Sequence, residues 1–303
     1  MQTTARKIFL TAIMVIVCAG CSLKKSATTV IGKIATEGTV VVESEQDLDL
    51  ARSSTPSLII TLEVLSKGNP ADKRLSTLLA RSYGQYAFGF LEEDLIRYKD
   101  VDKSAYQKSY DRADLFYQRG KDYGLLALWA KKDQEKILSL PLDDFKKQLM
   151  KFGKKDVPAL FWTAFCWGNW INLHRDDPSA FIDLPRVESM ISRVMQLDSS
   201  YYYGSAHSFL ATIAAIRPKM LGGNLDLARD EFEKALGVDN HYLMTKVLYA
   251  QFYAIQAQDP GLFEKLLSEV QNADAKLPAN QRLANELAKR RATLLIEKKK
   301  KFF

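Results

Sequence analysis

Leu227-Ala228-Arg229-Asp230-Glu231-Phe232-Glu233-Lys234-Ala235-Leu236 places Ala228, Phe232 and Ala235 at the three- and four-residue spacing of an amphipathic helix. The stripe runs on to Val238-Asp239 and recurs. Val187-x3-Ile191-x2-Val194-x2-Leu197-Asp198 lies 41 residues earlier, and both copies reach a tyrosine three residues further on, Tyr201 and Tyr242. Phe263, Leu267, Val270, Ala273 and Asp274 repeat the frame at an offset of 35, and Ala113, Tyr117, Gly120 and Tyr123 form a fainter copy. Recurrence of this kind marks stacked helical units, each too thin to bury its apolar face alone.

Working outward, nearly every segment from Pro56 onward keeps the same period, as in Leu58, Leu62 and Leu65, then Leu75, Leu78, Leu79, Ser82 and Tyr86. Breaks are expected at Asn69-Pro70, Pro141, Pro158, Asp177-Pro178, Pro185, Pro218, Asp259-Pro260 and Pro278. No long Pro/Gly/Ser linker interrupts the pattern, so residues 56–303 read as a single helical repeat domain. In the Ala228 segment two small residues flank an aromatic, which resembles the second helix of a tetratricopeptide repeat, where a small residue lets the paired helix approach and the aromatic plugs the gap. The fold predicted is all-α, a tetratricopeptide-repeat-like superhelix of helix pairs. Residues 21–55 lack a sustained period and read as a tether, in which Thr39-Val40-Val41-Val42 alone resembles a strand.

With 303 residues, 47% hydrophobic and 26% charged, the chain is long enough to bury a core and too apolar for large-scale disorder. Its formal charge of +7 is concentrated in Arg6, Lys7 and the run Lys298 to Lys301, and about +1 remains once those are set aside. Nucleic-acid binding needs cations clustered on a folded face, so no nucleic-acid partner is expected.

Arg6-Lys7, the apolar run Ile8 to Val17 and Cys18-Ala19-Gly20-Cys21 follow the plan of a bacterial secretory leader: basic start, greasy core, small residues before a cut. The run is too short to span a bilayer. Ala19-Gly20-Cys21 resembles a lipobox, departing from it at Cys18, where leucine is usual. Residues 1–20 then form a lipoprotein signal peptide, and Cys21 carries a covalent lipid, including palmitate, that anchors the chain to a membrane. The alternatives are an uncleaved amphipathic anchor or an ordinary signal peptide with a free Cys21. Ser22, with no aspartate after the cysteine, gives no sign of inner-membrane retention. Cys166, in Phe161-Trp162-Thr163-Ala164-Phe165-Cys166-Trp167, has no partner for an intramolecular disulfide and reads as core.

Leu160-Phe161-Trp162 with Trp167, Asp177, Leu184-Pro185-x-Val187-Glu188, Leu197-Asp198, Tyr203-Gly204-x2-His207, Pro218-x2-Leu221-Gly222-Gly223-Asn224, Lys246-Val247-x-Tyr249-Ala250, Leu262-Phe263-x2-Leu266-Leu267 and Leu283-Ala284-Asn285 together resemble the TRAP transporter T-component (TatT) family. The likeness covers about residues 56 to 303, with Leu-Gly-Gly-Asn its most distinctive string. The resemblance implies a periplasmic, lipid-anchored repeat protein of a tripartite ATP-independent periplasmic transporter. Its implied partners are that system's soluble substrate-binding subunit and further copies of itself in a homotrimer. It also implies apolar cavities or pores that hold or pass a small hydrophobic or carboxylate ligand.

Phe161, Trp162, Phe165, Trp167 and Trp170 cannot all face one side of a helix that turns about 100° per residue. Either the helix is buried all round, or some of these rings meet a ligand or a partner subunit. Tyr203, in Tyr201-Tyr202-Tyr203-Gly204, lines a site entrance or packs helix on helix. His207 has no zinc-like companions and reads as a hydrogen-bonding structural histidine rather than a ligand or base. Arg217 and Asn285 border apolar helices, where they recognise a carboxylate or amide, or else cap and fix loops. Gly222-Gly223 suits a tight turn with positive φ before a helix start at Asn224. Glu92-Glu93-Asp94 and Asp143-Asp144, unaccompanied acids on helices, read as solvated surface.

No G-x-S-x-G, H-E-x-x-H or paired-cysteine metal motif is present. No enzyme activity, cofactor or metal is expected beyond the lipid on Cys21. The leading reading is a transport-accessory binding protein, and its rival is a structural envelope scaffold that uses the repeats to hold other proteins.

Overall fold

In a computed structural model that describes residues 28–276 and 278–303, every regular element of the described chain is a helix. Residues 28–37 form α1, followed by α2 (Thr39–Glu43), α3 (Leu48–Gly68) and α4 (Lys73–Tyr86). A π-turn at Ala87–Leu91 joins α4 to α5 (Glu92–Tyr98), and then come α6 (Lys103–Leu128), α7 (Lys131–Leu138), α8 (Leu142–Leu149) and α9 (Val157–Leu173). The C-terminal part holds α10 (Leu184–Asp198), α11 (Tyr201–Ile216), α12 (Leu225–Val238), α13 (Met244–Leu248) with a second π-turn at Tyr249–Ala254, α14 (Pro260–Asn272) and α15 (Arg282–Glu297). Each break expected from the sequence falls at an element boundary. Asp47, Asp102, Asn224 and Asp259 cap their helices by accepting from backbone N–H groups of the first turn.

The repeated frame is the buried face of one set of helices. Val187, Ile191 and Val194 on α10, Ala228, Phe232 and Ala235 on α12, and Phe263, Leu267 and Val270 on α14 are all 0% exposed. Ala113 and Tyr117 on α6 are equally buried. Each packs on the helix before it in the chain, α10 on α9, α12 on α11 and α14 on the α13 π-turn, while α6 packs on both α4 and α9. Phe232 stacks on Tyr249 at 4.8 Å, the plug the sequence predicts. Glycines let α6 approach α9. A Cβ on Gly120 would stand 2.6 Å from Cys166 Sγ, and one on Gly124 2.3 Å from Thr163 Oγ1. Cys166 is sealed in that seam, and burial pushes its thiol pKa far up.

Three expectations need correction. The tether assigned to residues 21–55 is helical throughout most of its described part, residues 28–55. Ser53-Ser54-Thr55-Pro56 has the composition of a loop, yet the three hydroxyls bond back to Leu50 and Ala51 carbonyls and Pro56 sits inside α3. Thr39-Val40-Val41-Val42 is the body of α2, whose five residues are too few to display a helical period. Residues 1–27, with the leader and Cys21, lie outside the described residues.

Third, the acidic run at α5 is buried. Glu93 accepts from Arg290 Nε at 2.5 Å and from Arg97 at 2.9 Å. Glu92 accepts from Arg291 at 3.1 Å and from the Tyr117 hydroxyl at 2.6 Å. Asp94 is paired with Arg52. Arg291 also donates to Gln251 at 2.9 Å and lies 4.9 Å from the Phe88 ring. These bonds tie α5 to α15, elements nearly 200 residues apart, so the last helix closes back on the first pairs and the stack becomes a ring. Sequence spacing could not show this, because the partners are at opposite ends of the chain.

Removing one member of a buried pair strands the other charge, so Arg291→Ala is expected to lower unfolding stability by about 3–5 kcal/mol in urea denaturation. Lys301→Ala, which breaks only an exposed pair with Asp100, is expected to change it by less than about 1 kcal/mol. Equal effects of the two would contradict ring closure by buried charge.

Candidate functional site

Because the ring closes, the faces of α4, α9, α11, α13 and α15 opposite the repeat helices look onto a common space. They border a cavity of about 470 Å³ that is open on one side, within the size range of sites for small organic ligands. Helical spacing brings Phe161, Phe165, Asn169 and Asn172 to it from α9, and Ser205, Ser208, Phe209, Thr212 and Ile216 from α11. Leu283, Ala284 and Leu287 come from α15. Both π-turns reach the cavity, the first with Phe88, Gly89 and Phe90 and the second with Phe252. Insertion of an extra residue into a helix in this way re-aims the next turn and is frequent at functional sites.

The start of α11 is unusual. Tyr202, Tyr203 and Gly204 take φ values of 48, 62 and 74°, left-handed conformations that cost a non-glycine residue about 1–2 kcal/mol each. Packing holds them. The Tyr202 ring meets Trp162 edge-on at 4.9 Å, Tyr203 stacks on Tyr242 at 4.8 Å, and Ser205 donates to the Tyr202 carbonyl at 2.6 Å. Tyr203 Oη accepts from the Asn280 side chain at 3.1 Å. The turn thereby directs both tyrosines at the cavity.

Around these rings lies the charged edge of a mainly apolar space. The Arg81 guanidinium is 5.5 Å from the Trp162 ring and 5.4 Å from Tyr202, and it pairs with Glu43 of the N-terminal segment. Gln85 donates to Tyr202 Oη at 2.7 Å, and the Trp162 indole N–H donates to Tyr201 Oη at 3.1 Å. Burial pushes the Tyr201 and Tyr203 phenols up to about 12, so both stay protonated at neutral pH. Among the described lining residues Arg81 and Glu43 are the only charged ones. An apolar body with one forked cation suits a small hydrophobic molecule that carries an anionic group.

Of the residues singled out from the sequence, Phe161, Trp162, Phe165 and Tyr203 line the cavity, Phe161 and Trp162 standing in its wall at 0% and 1% exposed. Trp167, Trp170, His207, Arg217 and Asn285 do not. Trp167 packs in the core that α9 shares with α10, under Lys121 at 5.5 Å. Trp170 donates to Asp114 at 2.7 Å and lies 4.3 Å from the His174 ring. His207 meets Glu231 at 2.6 Å and fastens α11 to α12; burial works against ionisation of Glu231, but hydrogen bonds from Lys234 and His207 hold its pKa below the ordinary value. Arg217 pairs with Glu188 at 2.5 Å across α11 and α10. Asn285, fully buried, accepts from the Leu243 N–H and donates to the His241 carbonyl, both at 3.0 Å. Gly222 takes φ +95°, and a Cβ on Gly223 would lie 1.8 Å from the Arg217 carbonyl oxygen, so the Gly-Gly turn is sterically required. Sequence reading missed Arg81, Gln85 and Glu43. The signal for the first two was their spacing: Arg81 and Gln85 lie one turn apart beside the apolar stripe of α4.

Among the described residues no cluster of His, Cys, Asp or Glu has the makings of a metal site, and no helix is long and apolar enough to cross a membrane. A family model described as TRAP transporter T-component matches residues 44–303. An uncharacterized protein of Treponema pallidum (strain Nichols) is 26% identical over 310 residues, covering 95% of this chain and 94% of that one.

If Asn285 fixes the loop before α13 rather than a ligand, Asn285→Ala is expected to cost about 1–3 kcal/mol by leaving buried backbone groups unpaired. Chemical denaturation reads that loss. Unchanged stability, with altered binding of apolar probes, would return Asn285 to the site.

Proposed function

Since the chain belongs to the TRAP transporter T-component family, we propose that it is the accessory lipoprotein of a tripartite ATP-independent transporter, that it docks the system's periplasmic substrate-binding subunit, and that it holds or passes a small hydrophobic organic acid. The observation that carries the ligand part is the cavity inside the ring, apolar in body and with one guanidinium at its edge. A scaffold that only grips other proteins has no use for an internal space of that size. Membership of a transport family supports a binding role rather than catalysis, and among its described residues the site contains no nucleophile and base in contact.

In this reading acyl chains on Cys21 hold the protein at a membrane face on the periplasmic side, and the copies assemble as a trimer. Ile60 and Val64, one turn apart on α3 and more than half exposed, are suited to such self-association. Docking of the substrate-binding subunit would bring its ligand to the cavity without release to bulk solvent.

Capture of the membrane-anchored protein, followed by mass spectrometry, is expected to recover the substrate-binding subunit; recovery of envelope-assembly proteins in its place would favour the scaffold. Cys21→Ser is expected to release the protein into the soluble fraction without acyl groups. Tryptophan fluorescence is expected to respond saturably to decanoate, and Ala284→Trp, which fills the cavity, to abolish the response while leaving the melting temperature within a few degrees. A response that survives the filling substitution would place binding elsewhere.

A further inference from the structure

The N-terminal segment crosses the open side of the cavity. At one end the Asn69 side chain donates to Thr29 Oγ1 at 3.1 Å and Gly32 lies against Leu75, at the turn from α3 to α4. At the other, α2 packs on the start of α15. Between them Ile34, Ala35, Gly38, Val41 and Val42 face the cavity. The segment is thinly held, for α2 contains no buried residue and Ile34 and Val41 remain more than half exposed. Among the described ion pairs that reach this segment, Glu43 with Arg81 is the one that joins it to the ring; Lys33 with Glu37 is internal to it.

Arg81 is well placed for a carboxylate and incompletely served by Glu43. The Trp162 and Tyr202 rings hold the guanidinium in position at the cavity edge. Glu43 engages one terminal nitrogen, and the buried Nε has no hydrogen-bond partner. Guanidinium and carboxylate fit best as a two-pronged pair, so an N–H is left over that a free carboxylate would satisfy.

We infer that Arg81 is the carboxylate-binding residue of the cavity, and that Glu43 is an internal occupant of the same position which an acidic ligand displaces, loosening the segment that closes the cavity. This rests on the ligand-holding reading and adds to it the charge of the ligand and the way in. The two-pronged edge that includes the vacant Nε ends on Nη2, the nitrogen Glu43 holds, so a carboxylate that takes this edge displaces Glu43 and binding competes with closure. An apolar molecule without an acid group leaves the Glu43 pair in place and gains only the dispersion contacts of the cavity walls. Glu43 lies just ahead of residues 44–303, the part that matches the family model.

The test uses the full chain bearing Cys21→Ser, free of detergent, with decanoate and 1-decanol as probes of equal length. Tryptophan fluorescence reads affinity, and the rate of tryptic cleavage after the exposed Lys33 reads release of the segment. Glu43→Gln is expected to tighten decanoate about tenfold, and Arg81→Gln to weaken it by about tenfold or more, the scale of a charge-assisted hydrogen bond. Neither substitution should alter decanol affinity by comparison, and decanoate but not decanol should speed cleavage after Lys33. The inference is overturned if Glu43→Gln leaves decanoate affinity unchanged or lower, or if Arg81→Gln retains the preference for the acid. Decanol and decanoate binding alike in all three proteins would overturn it and leave the apolar cavity as the site. Failure of both probes to bind wild type and Glu43→Gln alike would overturn the ligand-holding reading with it. Because Glu43 is on the surface segment, its variant keeps the test valid even if Arg81→Gln does not fold.

Discussion

The buried charges that join α5 to α15 decide what kind of object this chain is. Stacked helix pairs by themselves form an open-ended body with a groove along its inner side. Here Glu92 and Glu93 reach Arg291 and Arg290 across the gap between the first and last units, with Tyr117 and Arg97 completing their hydrogen bonds. Burying such carboxylates is costly unless they are paired, and Glu92 and Glu93 gain their α15 partners only when the ring is shut, although Arg290 Nη2 and Arg291 Nη1 stay buried without a partner. The first π-turn leads into α5, where Glu92 and Glu93 bear on the far end of the chain and Asp94 on Arg52 of α3.

Closure turns a groove into a room. Interiors of globular proteins are close-packed and contain few voids larger than a water molecule; the repeat faces follow that rule, fully buried and with glycines admitting helix against helix. The space of about 470 Å³ is therefore a feature the fold maintains rather than a defect in it. Strain accumulates at its edge, in the left-handed pair Tyr202 and Tyr203, where packing against Trp162 and Tyr242 offsets the backbone cost. The mainly apolar walls and the Arg81 guanidinium suit the hydrophobic acid we propose as ligand.

Much of the fold was legible because it is periodic. The frame through Val187, Ala228 and Phe263 is the buried face of α10, α12 and α14, and the proline and Asn/Asp-Pro breaks mark real boundaries. What escaped was either short or remote. Two brief helices parted at Gly38 cannot show a 3.6-residue period, and hydroxyl-rich Ser53-Ser54-Thr55 imitates a loop. The acids of α5 resemble solvated surface until their partners arrive from the other terminus. At the site, the aromatic run on α9 could be divided between core and cavity only once the neighbouring helices were placed: Phe161, Trp162 and Phe165 border the cavity, Trp167 and Trp170 do not. Arg217 and Asn285 were chosen for chemistry that suits a ligand, but their neighbours in the fold claim them first. Arg81 was hidden in an ordinary amphipathic helix, where position on the face, not residue type, gives it meaning.

The central claim is that the space inside the ring receives an apolar acid, and the most direct measurement is anomalous diffraction from crystals grown with 10-bromodecanoate. The account requires one bromine peak per chain within the cavity, among Phe88, Phe252 and Leu287. A peak confined to the outer surface, or an empty cavity at saturating acid, would contradict it.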